Sequence, residues 1–315
     1  MNTIKVVGID LAKNVFQVCV WMDDGSVTLN RKISRQKLLN TVRSFPPGTV
    51  IAMEACATSH YWGRTLQAMG YTVRLVPTQH VKAFSHHQKN DANDALAIGE
   101  TACRPGLHFV PVKTVEQQDI KALRSVRQLM VEQRTALANQ MRAFLAESGL
   151  IVPAGIQKLQ QPLPDILEDD STNLSFILRR LLQTLWEEMQ HLNTGIHDMD
   201  NGIAALSRQQ PGYEHLLTIP GVGPLIAAAF VSEVSASQFA NGRQLLRTLI
   251  IHGARAVMRC VQKRDDYLGE WLRKLIDRCG FMKATVALAN KLTRIIWRVL
   301  RDDVDFNMQK AFTIN

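Results

Sequence analysis

The chain has 315 residues, 46% of them hydrophobic, and a formal net charge of +9. This length exceeds the usual size of one hydrophobic core and predicts two or three domains. No apolar run approaches the roughly 20 residues that span a bilayer, and the N-terminus lacks a signal-peptide profile. The five cysteines are scattered without a C-x-x-C pair, which argues against a zinc site or a disulfide framework. We therefore expect a cytoplasmic protein with no membrane partner.

The charge is unevenly distributed along the chain. Residues 1–105 carry a net charge of +5, residues 106–240 carry −4, and residues 241–315 carry +8. A basic balance alone is a weak indication of nucleic-acid binding. Basic ends together with a carboxylate cluster favour a polyanionic partner more strongly.

Residues 1–105 alternate between predicted strands and helices. The first three strands form a meander, because Asp23-Asp24-Gly25 is typical of a hairpin turn. Ser34 is a candidate N-cap for the first helix, and a long crossover between parallel strands is expected to be right-handed. The predicted strands are 4–9, 15–21, 27–32, 49–53 and 71–76, and the predicted helices are 34–45, 59–69, 80–88 and 91–103.

The middle of the chain shows long helical periodicity over residues 114–148 and 173–209, separated by a proline-rich connector over 150–172. Two long helices joined in this way indicate an antiparallel coiled coil, which would act as a spacer or an oligomerisation element. Two core helices of a larger helical domain fit the same pattern equally well. From Pro211 onward the sequence is helical and basic.

Four carboxylates form the pattern that is most informative about function. Asp10 and Glu54 end short apolar runs, where buried strands would emerge. Asp91 and Asp94 are three residues apart, which on a helix places both on one face with about 5–6 Å between Cβ atoms. Two like charges so close repel unless a cation lies between them, and Mg²⁺ prefers oxygen ligands. Capping of the helix by Asp91 is the alternative, but it does not easily explain Asp94.

The combination carries more weight than any single carboxylate, because a lone acidic residue at a strand end is usually a cap or a turn former. In a ribonuclease-H-like fold, the first and fourth strands are neighbours at the centre of the sheet. A later helix would then lay Asp91 and Asp94 over the same end as Asp10 and Glu54. Four such ligands could hold two cations about 3.5–4 Å apart for an in-line phosphoryl transfer.

Two further patterns suggest contacts with nucleic acid. Gly221 and Gly223 lie in a Pro- and Gly-rich turn between helical segments, as in a helix-hairpin-helix that binds phosphate through backbone N–H groups. An ordinary helix–helix turn is an equally good interpretation. The last long helix, predicted over 283–301, carries Lys291, Arg294 and Arg298 at helical spacing. These form either a solvated basic face or a surface that tracks phosphates.

Taken together, these segments resemble a known family. The motifs GIDLAK at 8–13, MEAC at 53–56, HYW at 60–62, KNDANDA at 89–95 and IPGVG at 219–223 are similar to those of DEDD transposases of the IS110 insertion-sequence family. The resemblance is greatest to its IS1111 subgroup, and the pilin-gene invertases are relatives. It implies a RuvC-like domain over 1–110, a coiled-coil region over 111–210 and a C-terminal transposase domain over 211–315.

The resemblance also implies an activity and partners. Asp10, Glu54, Asp91 and Asp94 match the family's metal-binding tetrad, which implies two Mg²⁺ ions. The implied reaction recombines circular element DNA with target DNA and is guided by a structured bridge RNA. A homo-oligomer, dimer or tetramer, would form through the coiled coil at the nucleoid of a prokaryotic cell.

One departure from the family concerns its C-terminal nucleophilic serine, which lies in a Gly-, Ser- and Arg-rich stretch. Here Gln244 continues directly into Leu245, so the domain is expected to be shortened near 244–245 and to lack that serine. Three hypotheses follow: a DNA recombinase of this family, a non-catalytic nucleic-acid-binding remnant or regulator, and a Holliday-junction-type nuclease that uses the four carboxylates alone.

Overall fold

The computed structural model describes residues 3–84, 91–233 and 244–312, with the side chains at 82–84, 91 and 244–245 excepted. The described residues form two compact units, the first ending at Val115 and the second beginning at Glu116. The division into three domains stays a prediction.

The first unit contains, within its described residues, a five-stranded sheet of order β3-β2-β1-β4-β5. Strands β1 to β3 pair in antiparallel fashion, and β4 and β5 add in parallel to β1. The predicted meander and the predicted neighbourhood of the first and fourth strands are confirmed. The strands are β1 (Ile4–Asp10), β2 (Val15–Met22), β3 (Val27–Ser34), β4 (Val50–Glu54) and β5 (Thr72–Val76).

The helices of this unit are α1 (Leu38–Val42), α2 (Ser59–Ala68), α3 (Thr78–Phe84) and α4 (Asp91–Ala102). A 3-10 turn over Arg35–Lys37 replaces the start of the helix expected over 34–45. The Ser34 side chain makes no capping hydrogen bond there, so that capping prediction is wrong. Part of the helix predicted over 80–88 lies outside the described residues.

The two faces of the sheet pack against different helices. One core joins Ile9 and Met53 to Leu66 of α2, and the other joins Val6 and Ala52 to α4. Successive side chains of a strand point to opposite faces. Asp10 and Glu54, each an even number of residues from Val6 and Ala52, therefore belong to the face that α4 covers.

The second unit is helical in its described residues and begins with two long helices. These are α5 (Val115–Glu147) and α8 (Phe176–Arg208), and the connector between them contains α6 (Ile156–Gln160) and α7 (Leu163–Glu168). The side-chain contacts Arg127–Asp200 and Arg134–Asn193 show that α5 and α8 run antiparallel, since the residue number falls on one helix as it rises on the other. Supercoiling of the pair stays a prediction.

The remaining helices are α9 (Tyr213–Leu217), α10 (Pro224–Glu233), α11 (Gln244–Arg259), α12 (Tyr267–Cys279), α13 (Phe281–Asp302) and α14 (Met308–Phe312). Helix α10 is mostly buried, and its last residue, Glu233, forms a buried ion pair with Arg124 of α5. Within the described ranges, no helix is both long and apolar enough to cross a membrane.

Candidate functional site

Asp10 and Glu54 are the last residues of two neighbouring parallel strands. Ile9 lies opposite Met53 in the register of β1 and β4, so the next position brings the two acidic residues side by side on the α4 face. Both are partly buried. Burial, followed by the charges of Glu54 and Asp10, raises the pKa of the nearby Cys56 thiol. Both carboxylates therefore act on the same small region at this edge of the sheet.

Helix α4 lies directly on β1 because Gly8 has no side chain. A Cβ atom at Gly8 would stand 2.1 Å from the carbonyl oxygen of Ala95, and one at Gly99 would stand 3.5 Å from Cγ1 of Val6. The helix therefore runs antiparallel to the strand.

This direction places the start of α4 at the carboxylate edge. A helix rises about 1.5 Å per residue and a strand about 3.3 Å. The two-residue step from Gly8 to Asp10 therefore corresponds to about four helical residues, from Ala95 back to Asp91. The first turn of α4 lies over the end of β1, and its positive dipole end favours negative charge there.

The four predicted ligands are described to different degrees. Asp94 is partly buried near the start of α4, while the side chain of Asp91 lies outside the described residues. Among the residues that the structure describes, no group of three or more His, Cys, Asp or Glu side chains is arranged to hold a metal ion. The tetrad as a whole stays a prediction. The donors at this edge are oxygens, which suit a hard divalent cation.

The turn that follows Glu54 is held by several hydrogen bonds. The backbone N–H of Ala55 donates to the carbonyl of Val76 at 2.8 Å, and Ser59 Oγ donates to the carbonyl of Cys56 at 2.8 Å. Thr58 has a φ of +72°, which is a genuine outlier for a β-branched residue. Such strained residues cluster at functional sites, and this one adjoins the carboxylate edge.

Two polar residues that the sequence analysis missed belong to the same region. Gln17 of β2 is the register partner of Asp10 and is 5% exposed. Its Nε2 donates to Asn30 Oδ1 at 2.6 Å, and Asn30 Nδ2 donates to the carbonyl oxygen of Ala92 in α4 at 3.2 Å. Gln17 could have been found from the sequence, because it is a polar residue within the otherwise apolar run 15–21.

The Gly-rich turn uses its two glycines differently. Gly221 has a φ of +84° and lies against α11, where a Cβ atom at Gly253 would stand 2.2 Å from the Gly221 carbonyl oxygen. None of the described atoms lies within 4 Å of a Cβ placed at Gly223. One glycine therefore serves packing and the other leaves the backbone before α10 open. The helix-hairpin-helix assignment stays a prediction.

The predicted basic residues of α13 also differ in their surroundings. Arg294 and Arg298 are exposed, and Arg298 pairs with Asp302 at 3.4 Å. Lys291 Nζ instead lies 4.6 Å from the ring centroid of Trp271 and 4.7 Å from that of Phe312, and burial lowers its pKa. Lys291 thus joins α12, α13 and α14, and its contact with nucleic acid stays a prediction.

Comparisons with known proteins identify the family. Residues 7–149 match the profile of a DEDD transposase domain of the IS110 type, described as a transposase. Residues 213–247 match the profile described as transposase, IS116/IS110/IS902 family. The transposase for insertion sequence element IS1111A of Coxiella burnetii is 38% identical over 95% of this chain and 90% of its own length. The chain belongs to the IS110 family of transposases.

Two other transposases are similar to this chain over nearly their whole length. A probable family 20 transposase of Pseudomonas aeruginosa is 37% identical over 95% of this chain and 97% of its own. The transposase for insertion sequence element IS1328 of Yersinia enterocolitica is 31% identical over 98% of this chain and 100% of its own.

The alignments with these relatives are longer than the part of this chain that they cover. The alignment with the Coxiella protein runs over 330 positions but covers 95% of the 315 residues, or about 299, so about 31 of its positions lie opposite gaps in this chain. The same arithmetic for the Yersinia protein, with 337 positions and 98% coverage, leaves about 28. This IS110-family chain therefore lacks about 30 positions that these relatives have.

Proposed function

We propose that this chain is an insertion-sequence transposase that acts on DNA with a structured guide RNA and with divalent cations bound at a RuvC-like, ribonuclease-H-like first unit. The observation that carries the proposal is the placement of Asp10 and Glu54 side by side on two neighbouring parallel strands, beneath the first turn of α4. The DEDD transposase profile over the same residues supports it.

Asp10, Glu54, Asp91 and Asp94 would hold two Mg²⁺ ions, which stabilise the charge that develops on the attacking and leaving oxygens in phosphoryl transfer. Asp10 and Glu54 concentrate negative charge at the sheet edge. Gly8 lets α4 approach closely enough for its first turn to cover that edge. In this proposal the first turn of α4 would bring Asp94 toward the two strand carboxylates.

The nucleic acid would be held by a second set of residues. The open backbone at Gly223, with Gly221 fixed against α11, is suited to a phosphate group at the start of α10. Arg294 and Arg298 would add exposed positive charge. Lys291 would contribute long-range attraction from its position against the rings of Trp271 and Phe312.

The antiparallel pair of α5 and α8 would mediate homo-oligomerisation, dimeric or tetrameric, as a coiled coil. Support comes from large apolar side chains that α5 leaves exposed, Val126 at 43% and Leu129 at 54%. Light scattering of the purified chain tests this, and a monomer at all concentrations would exclude it.

This chain lacks about 30 positions that its relatives have. We also propose that these positions would lie near 244–245 and that they include the family's nucleophilic serine. Ser232 does not substitute for it, because this residue is buried and its Oγ donates to the carbonyl of Ala228. Ser235 and Ser237 lie outside the described residues. This shortening favours a second candidate function, that of a nucleic-acid-binding remnant or regulator.

Strand exchange in vitro with element DNA, guide RNA and Mg²⁺ tests these proposals. We expect Mg²⁺-dependent cleavage that Asp10→Asn abolishes, without a covalent protein–DNA adduct. A covalent adduct would refute the proposal that this chain lacks the nucleophilic serine. Tight binding of DNA or RNA without any cleavage would favour the remnant, and cutting confined to four-way junctions would favour the nuclease.

A further inference from the structure

A chain of two side-chain amides connects the centre of the sheet to the first turn of α4. Gln17 Nε2 donates to Asn30 Oδ1 at 2.6 Å, and Asn30 Nδ2 donates to the carbonyl oxygen of Ala92 at 3.2 Å. Ala92 lies between Asp91 and Asp94 in the sequence. The two amides therefore fix the backbone of the helical turn that lies over the carboxylate edge.

The direction of both amides is determined by the Ala92 carbonyl. A carbonyl oxygen only accepts hydrogen bonds, so Asn30 must turn its NH₂ group toward it. Asn30 Oδ1 then points toward Gln17 and accepts a hydrogen bond from the NH₂ group of Gln17. This order leaves Gln17 Oε1 as an acceptor that is turned away from Asn30.

Gln17 Oε1 is buried, and no hydrogen-bond donor reaches it from the described residues. A buried acceptor without a partner is costly. Gln17 lies between β1 and β3, with Asp10 as its register partner on one side and Lys32 on the other. Directly paired residues have Cβ atoms about 4.5–5.5 Å apart, so this oxygen belongs to the surroundings of Asp10.

The unpaired amide oxygen of Gln17 adds negative potential beside the carboxylates of this edge. A divalent cation would give this oxygen a partner, because amide oxygens and carboxylates are its preferred ligands. Thus the orphaned oxygen, the carboxylate edge and the fixed helix turn point to the same occupant.

We propose that Gln17 is a further oxygen donor of the cation site at Asp10, held in place by Asn30. The proposal rests on the divalent-cation site of the proposed function and extends it to a neutral residue of β2. In addition, the amide chain couples the donor to α4, so cation binding and the position of the first helical turn depend on the same two side chains.

Binding of Mn²⁺ to the unmodified chain in the absence of DNA tests the proposal. The binding is measured by the loss of the electron paramagnetic resonance signal of free Mn²⁺. We expect Gln17→Leu to weaken Mn²⁺ binding about tenfold or more, as seen for residues that support metal ligands. The thermal midpoint of the metal-free protein should stay the same or rise, because the substitution removes a buried unpaired acceptor. Gln67→Leu, the same change at an exposed position of α2, should leave the affinity unchanged.

A second variant tests the coupling. Asn30→Ala should weaken Mn²⁺ binding several-fold, and the double variant should bind no more weakly than Gln17→Leu alone, because both residues act through one chain. Additive losses would overturn the coupling. If Gln17→Leu lowers the thermal midpoint of the metal-free protein and leaves Mn²⁺ affinity unchanged, Gln17 is only structural and the inference is wrong.

Asp10→Asn separates this inference from the proposed function. If Mn²⁺ binding is lost in Asp10→Asn but intact in Gln17→Leu, the cation site at Asp10 is supported and Gln17 is not one of its ligands. If the unmodified chain binds no Mn²⁺, or if Asp10→Asn binds it as well as the unmodified chain does, both proposals fail together.

Discussion

The ionisation of His215 in the second unit depends on two neighbouring carboxylates. Its Nδ1 lies 2.7 Å from Asp305 Oδ1, and its Nε2 lies 3.5 Å from Asp303 Oδ1. The hydrogen bond with Asp305 is the main cause that raises the pKa of His215 above its ordinary value. The two carboxylates, just beyond α13, therefore stabilise the imidazolium form and link α9 to this turn.

This arrangement predicts a pH-dependent stability. Because the folded pKa of His215 is raised, its contribution is complete below about pH 6.5, the ordinary value, and is lost as pH rises through the folded value. The difference in thermal midpoint between the unmodified chain and His215→Asn should be largest near pH 5.5 and should shrink toward pH 8.5. His191→Asn, at an exposed position of α8, is the control. A difference that does not change with pH would contradict the role of the two carboxylates.

At the scale of elements, the position of α4 decides whether the site can form. Two glycines, Gly8 on the strand and Gly99 on the helix, lie where α4 crosses β1. They are not equivalent, because the position at Gly8 faces helix backbone and the position at Gly99 faces the Val6 side chain.

Alanine at these two positions should have opposite consequences. Gly8→Ala forces its Cβ to within 2.1 Å of the Ala95 carbonyl oxygen, so it should lift α4 and destabilise the first unit by about 1–3 kcal/mol. Gly99→Ala meets an ordinary 3.5 Å contact and should stabilise the helix by up to about 1 kcal/mol. Urea unfolding followed by circular dichroism measures both. Equal stability of the two variants would show that the helix does not lie on the strand as described.

Local patterns predicted the elements of this region well, but not their contacts. The meander follows from strand alternation and turn residues, while the neighbourhood of β1 and β4 was expected from the ribonuclease-H-like fold and not from a local pattern. Asn30 and Ala92 are 62 positions apart along the chain, and no local pattern specifies such a pairing. The helix expected over 34–45 is shorter in the structure, where it covers Leu38–Val42. Intrinsic helix propensity is a weak predictor of such bounds, because tertiary packing overrides it.

At the scale of the whole molecule, charge and length distinguish this chain. Its two ends are basic and its middle is acidic, and about 30 positions of its relatives are missing. The basic end over 241–315 includes α13, so attraction to a polyanion is expected to depend on exposed arginines there.

Salt dependence of DNA binding tests this expectation. Each phosphate contact contributes about 0.9 to the slope of log affinity against log salt. Arg294→Gln combined with Arg298→Gln should therefore reduce the slope by up to about 1.8. Lys121→Gln with Arg180→Gln removes the same charge from exposed positions of α5 and α8 and should change the slope much less. Equal reductions by the two pairs would indicate a general charge effect and not a surface on α13.

The sequence by itself determined the order of strands and helices, the four candidate carboxylates and the family, because these depend on residue identity and local spacing. Only the tertiary structure decided which of them meet. It set Asp10 beside Glu54 beneath the first turn of α4, brought Gln17 and Asn30 to that turn, and placed Lys291 against two aromatic rings. The reason is physical: a glycine contact, an amide chain and a ring contact each join residues far apart in the chain, and their energies exist only once the helices and strands have packed.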